Sequence, residues 1–253
     1  MTAAGTAGES AAVGRTVERS TEERRAALEA IAEEVRACTK CRLADTRTRA
    51  VPGEGRPDTE VVFVGEGPGQ TEDQQGRPFV GRAGDLLVKL LSTLGWRRQE
   101  VFITNIVKCR PPGNRDPEPD EIAACVPYLQ RQLDVLDPAV VATLGRFSMG
   151  YFRPGERITQ IHGTTASISP QTGARDAVSF ALFHPAAALR STDVERQSFD
   201  DIAGLPRVLR EARARRAQPA AVARPDAADV SPEPAAMTGS PDAQPFDDAP
   251  TLF

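Results

Sequence analysis

The sequence predicts an α/β domain of three layers, α/β/α, around a central, mostly parallel four-stranded sheet. Short apolar runs alternate with helical patterns along the chain, which implies strands linked by crossover helices. Loops bearing Gly and Asn follow those runs, as ligand-binding loops do in open α/β sheets. The length of 253 residues, with 40% hydrophobic and 26% charged residues, suits one such domain or two small ones.

Residues 1–19 are small and polar, without periodicity, and read as a disordered tail. A helix starts at Ser20 or Thr21, with Glu23 as capping-box partner of Ser20. Its apolar face is Leu28, Ile31 and Val35, and it stops before Cys38. Residues 44–59 read as loop around Pro52 and Gly53. Glu60–Val64 is a buried strand that breaks into Gly65-Glu-Gly-Pro-Gly69. A helix over Gly84–Leu94 buries Leu86, Leu87, Leu90, Leu91 and Leu94 and stops at Gly95. Val101–Thr104 is the second strand and runs into Asn105. The proline-rich segment Pro111–Pro117 is neither helix nor inner strand. A helix over Pro119–Leu136 and a strand over Ala139–Leu144 follow. Residues 155–175 form a polar, hairpin-like region, and Val178–Phe183 is the last apolar run, ending at His184-Pro185. A helix over Glu195–Arg215 closes a domain of residues 20–216. Residues 217–253 hold seven Pro and ten Ala and read as a disordered tail.

No stretch approaches the ~20 apolar residues of a membrane span, and the first residues lack the basic and apolar regions of a secretory signal. The formal charge of −4 is carried by the tail: residues 217–253 have one Arg against six acids. The rest of the chain is slightly basic, so its acidity does not exclude a polyanionic partner. Nothing demands more than a monomer.

Cys38 and Cys41 form C-x2-C, and Cys109 and Cys125 form C-x15-C, which accounts for all four cysteines. In a cytosol-like chain they point to metal or catalysis rather than disulfides. Four thiolates suit zinc or an iron–sulfur cluster, and spacing alone does not choose. Gly81, Ala83 and Gly84 open a helix whose free amides suit a phosphate, although a Gly-rich loop is equally a tight turn. Phe79, between two turns, is placed to be more exposed than a core aromatic and to stack on a base. His184 ends a strand opposite Asn105, so both belong on the sheet's carboxyl rim together with Glu66–Gly69.

The motifs GEGPGQTED, GRPFVGRAG, TNIVKCRPPGNRDP and HPAAALR, with this cysteine pattern, resemble family 4 uracil-DNA glycosylases over residues 25–215. The resemblance implies a hydrolase of base-excision repair, acting on uracil-containing DNA in a bacterial, nucleoid-associated cytoplasm. It implies a structural [4Fe–4S] cluster on Cys38, Cys41, Cys109 and Cys125. Carried over by motif position, Glu66, Gly67 and Glu72 line the base pocket, and Phe79 stacks on the flipped uracil. Asn105 reads the uracil edge, Asn114 lies near the reacting water, and His184 bonds the uracil carbonyl.

A base inside a duplex must be flipped to be reached. Asn105 can accept from N3–H and donate to O4 of uracil, whereas cytosine presents the opposite pattern. A steric wall must exclude the thymine methyl, and the resemblance puts Glu72 near it. His184, as a neutral donor, stabilises the anion that develops at O2. Gly67 stands where family 1 glycosylases carry an Asp, so water placement falls to Asn114, with Glu66 as second candidate. Arg110, Arg115 and Arg190 are candidates for backbone grip, although each also reads as a solvated charge. Leu189 is placed to wedge into the vacated base stack.

A sister group that traps uracil-DNA covalently carries a histidine-bearing loop after its asparagine motif. This chain has Cys109-Arg-Pro-Pro-Gly-Asn114 there. A non-hydrolytic iron–sulfur DNA binder would not need the Asn105/His184 pair. The terminal Gln244–Phe253 segment ends in Leu252-Phe253 after Asp247-Asp248. It resembles the short peptides by which bacterial repair proteins dock on the sliding clamp, which implies recruitment through residues 244–253.

Overall fold

A computed structural model describes residues 19–218. Apart from Arg19 and Ala217–Gln218, both expected tails, and with them residues 244–253, lie outside the described residues. Helix α1 (Thr21–Ala37) opens on the expected capping box, in which Ser20 and Glu23 satisfy each other's backbone amides. The short α2 (Leu43–Thr46) and the two-residue strand β1 (Glu54–Gly55) follow. Then come β2 (Val61–Gly65), α3 (Gln70–Gln75), α4 (Arg82–Thr93), β3 (Phe102–Asn105), α5 (Pro119–Leu136), β4 (Val140–Leu144), α6 (Arg146–Phe152) and α7 (Ile158–Ile161). Strands β5 (Thr165–Ser167) and β6 (Val178–Leu182) precede α8 (Pro185–Ala188), α9 (Thr192–Ile202) and α10 (Leu205–Ala217).

The sheet order is β1-β3-β2-β4-β6-β5. The inner four strands are parallel and in the register Val64–Thr104, Val64–Thr143 and Thr143–Ala181. This is the expected mostly parallel sheet, but it has six strands rather than four. The two additional strands are antiparallel edges of two and three residues. Segments that short and polar carry no alternation to detect: β1 fell within the loop expected over 44–59, and β5 within the hairpin-like region expected over 155–175. The helix expected over 195–215 is two helices, α9 and α10, divided at Gly204 with Pro206 in the first turn of α10. A proline is tolerated there because its missing N–H has no partner in a first turn.

Alternate residues of β2 face opposite sides of the sheet. Val62 and Val64 pack with Leu28, Ile31, Leu129 and Leu133 of α1 and α5. Val61 and Phe63 pack with Leu87, Leu91, Val208 and Leu209 of α4 and α10. Both faces are therefore covered, and the five residues of β2 are all buried. Each fully buried leucine contributes about 1.5–3 kcal/mol. No helix among the described residues is long and apolar enough to cross a membrane.

Candidate active site at the carboxyl ends of the strands

The four parallel strands end on one rim. Gly65 closes β2, Asn105 closes β3, Gly145 follows β4, and His184 lies two residues past β6. Between them is a cleft of about 520 Å³ lined by Glu66, Gly67, Glu72, Phe79, Asn105, Asn114, Arg115, His184 and Arg190, among others. Nine predicted site residues from five segments thus line one cleft. That volume suits a small ligand buried on most sides.

Asn105 forms the floor. It is 1% exposed, and its Oδ1 is a buried side-chain oxygen without a hydrogen-bond partner. An unpaired buried acceptor costs about 1–3 kcal/mol, so its persistence fits a donor arriving from a ligand. Gly65 makes room for it: a Cβ there would lie 2.4 Å from Asn105 Oδ1 and 2.6 Å from Phe79 Cζ. Behind the floor, Lys108 Nζ donates to the Asn105 carbonyl at 2.7 Å.

Glu72 is buried and lines the cleft, with Oε1 accepting from the amides of Val80 and Gly81 at 2.9 and 2.8 Å. Gly81 caps α4, so one of the amides expected to await a phosphate, its own, already holds a carboxylate. The same bonds fix the turn that presents Phe79, whose φ of 49° is rare for a side-chain-bearing residue. Arg98 donates to the Phe79 carbonyl at 2.9 Å and pairs with Glu54. Phe79 is 6% exposed, not the exposed ring expected from its turn context. Its packing against Leu86, Leu87 and Ile103 buries it among core side chains while it still lines the cleft.

The His184 ring lies 5.7 Å from Phe79, inclined by 32°. It caps α8, and its Nδ1 accepts from the Ala186 amide at 3.1 Å. Nδ1 therefore carries no proton, and the neutral ring holds its N–H at Nε2. Burial, helped by Arg190 and opposed by Glu72, pulls its pKa from 6.5 down to about 4. At neutral pH the group is an uncharged donor.

Glu66 is half-buried on the cleft wall, and burial, with repulsion from Asp116, holds its carboxyl above the usual range. Asp116 pairs with Arg146, and both line the mouth of the cleft. Asn114 is exposed at the rim, with Oδ1 accepting from Arg110 Nε at 2.7 Å. Arg115 lines the cleft, but its guanidinium grips Glu121 at 2.6 and 2.9 Å. Arg190 lies on the open side, and Leu189, 40% exposed, stands beside it. Sequence reasoning did not single out Arg146, Asp116 or Lys108. The Gly145-Arg146 step after β4 matches the glycine-then-charge step Gly65-Glu66 at the end of β2, which was a usable signal for Arg146. Lys108 carried none, because only the folded chain turns its side chain back under Asn105.

The four cysteines are free thiols and line a second, smaller cavity with Arg47, Lys108 and Tyr128. Among the described residues no three cysteine, histidine or acidic side chains converge on one point suited to a single metal ion. The four sulfurs instead ring the cavity, which no carboxylate lines. Arg47 Nη1 donates to Cys109 Sγ at 3.1 Å, and the Lys108 amide donates to Cys125 Sγ at 3.2 Å. Burial pushes the Cys125 thiol up to about 11 and raises Cys109 less, against Arg47. A thiophilic centre would displace those protons and meet cationic and N–H neighbours suited to its negative charge, so the donor set fits such a group.

Residues 52–203 match the Uracil DNA glycosylase superfamily. The chain is 50% identical over 175 residues to a type-4 uracil-DNA glycosylase of Sulfurisphaera tokodaii, covering 67% of this chain and 79% of the relative. It is 44% identical over 179 residues to that of Thermotoga maritima, covering 69% and 91%. To that of Pyrobaculum aerophilum it is 42% identical over 197 residues, covering 72% and 97%.

Proposed function

The chain belongs to the uracil-DNA glycosylase superfamily, in its type-4 branch, and from that membership we propose that it hydrolyses the N-glycosidic bond of uracil in DNA. The reaction opens base-excision repair. The observation that carries this reading is the buried, unpaired Asn105 Oδ1 on the floor of the cleft that also holds the neutral His184. Uracil N3–H supplies the missing donor, and the Asn105 amide N–H donates to O4. Cytosine has an acceptor at N3 and a donor at N4, so it would leave both groups unpaired.

Flipping brings the base into the cleft at a cost of a few kcal/mol, offset by contacts to Phe79 and Asn105. Glu72 holds the Phe79 turn and the cleft wall on which the thymine methyl is refused. As the glycosidic bond lengthens, negative charge moves onto uracil O2, and the Nε2–H of His184 donates to it. A donor of this kind is worth about 3–4 kcal/mol. Because the ring stays neutral, the uracil anion leaves without taking a proton from it. The sugar becomes cationic, and water must reach its C1′. Glu66, held above its usual range at the cleft wall, suits water orientation better than Asn114, whose Oδ1 is taken by Arg110. Arg110 and Arg190 grip phosphates, and Leu189 fills the gap in the stack. Arg115 contributes less, since Glu121 holds it.

Cys38, Cys41, Cys109 and Cys125 would hold a [4Fe–4S] cluster, whose contribution is to tie α1, the loop after β3 and α5 together. The repair takes place on cytoplasmic DNA, with residues 244–253 as a tether to the sliding clamp. Single-turnover assays on a uracil-containing oligonucleotide test the activity. Free uracil and an alkali-labile abasic site are expected. Protein bound or cross-linked to the oligonucleotide with no free base would overturn it.

A further inference from the structure

Lys108 is 1% exposed, yet it is a lysine. Burying an amino group is costly unless oxygens in fixed positions receive it. Its Nζ meets three: Thr104 Oγ1 at 2.6 Å, the Asn105 carbonyl at 2.7 Å and Gln132 Oε1 at 2.8 Å. All three are uncharged. Two are themselves anchored, because Thr104 Oγ1 and Gln132 Nε2 both donate to the Pro52 carbonyl, at 3.0 and 2.7 Å. The amino group thus connects a rigid platform on α5 and the β1 approach to the main chain of Asn105.

Asn105 needs that support. Its Oδ1 has no protein partner, so nothing on the cleft side fixes the amide before a base arrives. Asn105 is also the last residue of β3, where the regular ladder ends. A side chain whose work is to read donors and acceptors at fixed distances depends on the main chain that carries it. We propose that Lys108 is a positioning residue for base reading: its amino group clamps the Asn105 carbonyl and so holds the Asn105 amide ready for uracil. This rests on the uracil reading of Asn105 given above. Lys108 touches neither base nor sugar. Its own amide donates to Cys125 Sγ, so the clamp is seated on the wall of the thiol cavity.

The test replaces Lys108 by methionine, which keeps length and removes the donors. Four quantities are measured: the single-turnover rate, the affinity for DNA with a non-cleavable uracil nucleoside, the affinity for DNA with an abasic-site analogue, and the visible spectrum. The expected result is a rate lower by about 10–100-fold and uracil-analogue binding weaker by about 10-fold. Abasic-DNA affinity and the visible spectrum should stay within about twofold of wild type. A merely structural role would lower all of them together, and that outcome, or an unchanged rate, overturns the proposal. Should Lys108→Met fail to fold, Gln132→Met removes one anchor of the amino group and should give a smaller loss in the same two quantities. If Gln132→Met moves neither, the clamp is refuted. Wild-type protein that releases no uracil would instead refute the reading of the cleft.

Discussion

His184 accepts a hydrogen bond at Nδ1 from the backbone amide of Ala186, 3.1 Å away. That bond puts the proton on Nε2, and burial with Arg190 nearby pulls the pKa down to about 4. The neutral form therefore persists at all pH values above ~4 and is lost only as pH falls through that value. The imidazole followed by NMR should titrate near 4, with no 6.5 midpoint in the single-turnover rate. A midpoint near 6.5 for this ring would contradict the arrangement. His184→Ala should lower the single-turnover rate by about 10²–10³ and leave DNA binding largely intact.

Asn105→Asp exchanges the amide donor for an acceptor. Activity on uracil should fall steeply, and release of cytosine from DNA should become detectable. Competition assays with uracil- and cytosine-bearing oligonucleotides measure the ratio. A variant that loses uracil activity with its preference intact would show that Asn105 does not read the edge.

Asp116 and Arg146 pair across the mouth of the cleft, with side chains 60% and 64% exposed. So exposed a pair is worth only about 0–1 kcal/mol, and a DNA phosphate can take the arginine from it. Asp116→Asn should strengthen DNA binding a few-fold. Arg146→Gln should weaken it and reduce the slope of log affinity against log salt by about 0.9. Titrations at several salt concentrations decide, and an unaltered slope in Arg146→Gln would remove this residue from the interface.

Glu121 is fully buried between Arg115 and Arg42, and the Arg115 guanidinium leads in holding its carboxyl down at about 2. Its folded-state pKa lies below the usual 4.5, so its contribution is complete above about pH 4.5 and lost as pH falls toward 2. Glu121→Gln should cost about 2 kcal/mol at pH 7, discounted for the exposed Arg42. The difference in Tm from wild type should shrink between pH 5 and pH 3. A constant difference would exclude this ion pair as the source.

Anaerobically purified protein should be brown, with broad absorption near about 400 nm and four irons per chain. Cys109→Ala should lose colour and lower Tm before it changes uracil selectivity. A colourless, fully active protein with one zinc would refute the cluster.

Much of this was legible in the chain. The short apolar runs that mark β2 and β3 and the leucine stripe of α4 depend on neighbours in sequence, and so does the Ser20–Glu23 cap. Asn105 and His184 could be placed on one rim because parallel strands must end together. What was hidden depends on pairing at a distance. Glu72 turns toward the amides of Val80 and Gly81 that lead into α4, Lys108 folds back under Asn105, and Phe79 is drawn into the core, although the surrounding residues in sequence announce none of it. The edge strands were not specified as strands, although β5 lies in the region expected to be hairpin-like, because two or three residues cannot show a period.

Those edges have a further consequence. A parallel sheet cut off at β3 and β6 would expose two rows of unpaired main-chain groups, each a template for adding a foreign strand. Here β1 covers one side with two residues and β5 the other with three, and both run against their neighbours. Strands that short offer an incoming chain too few main-chain bonds to hold it. The finished sheet thus presents only short edges to a foreign strand, which blunts edge-to-edge pairing between folded copies.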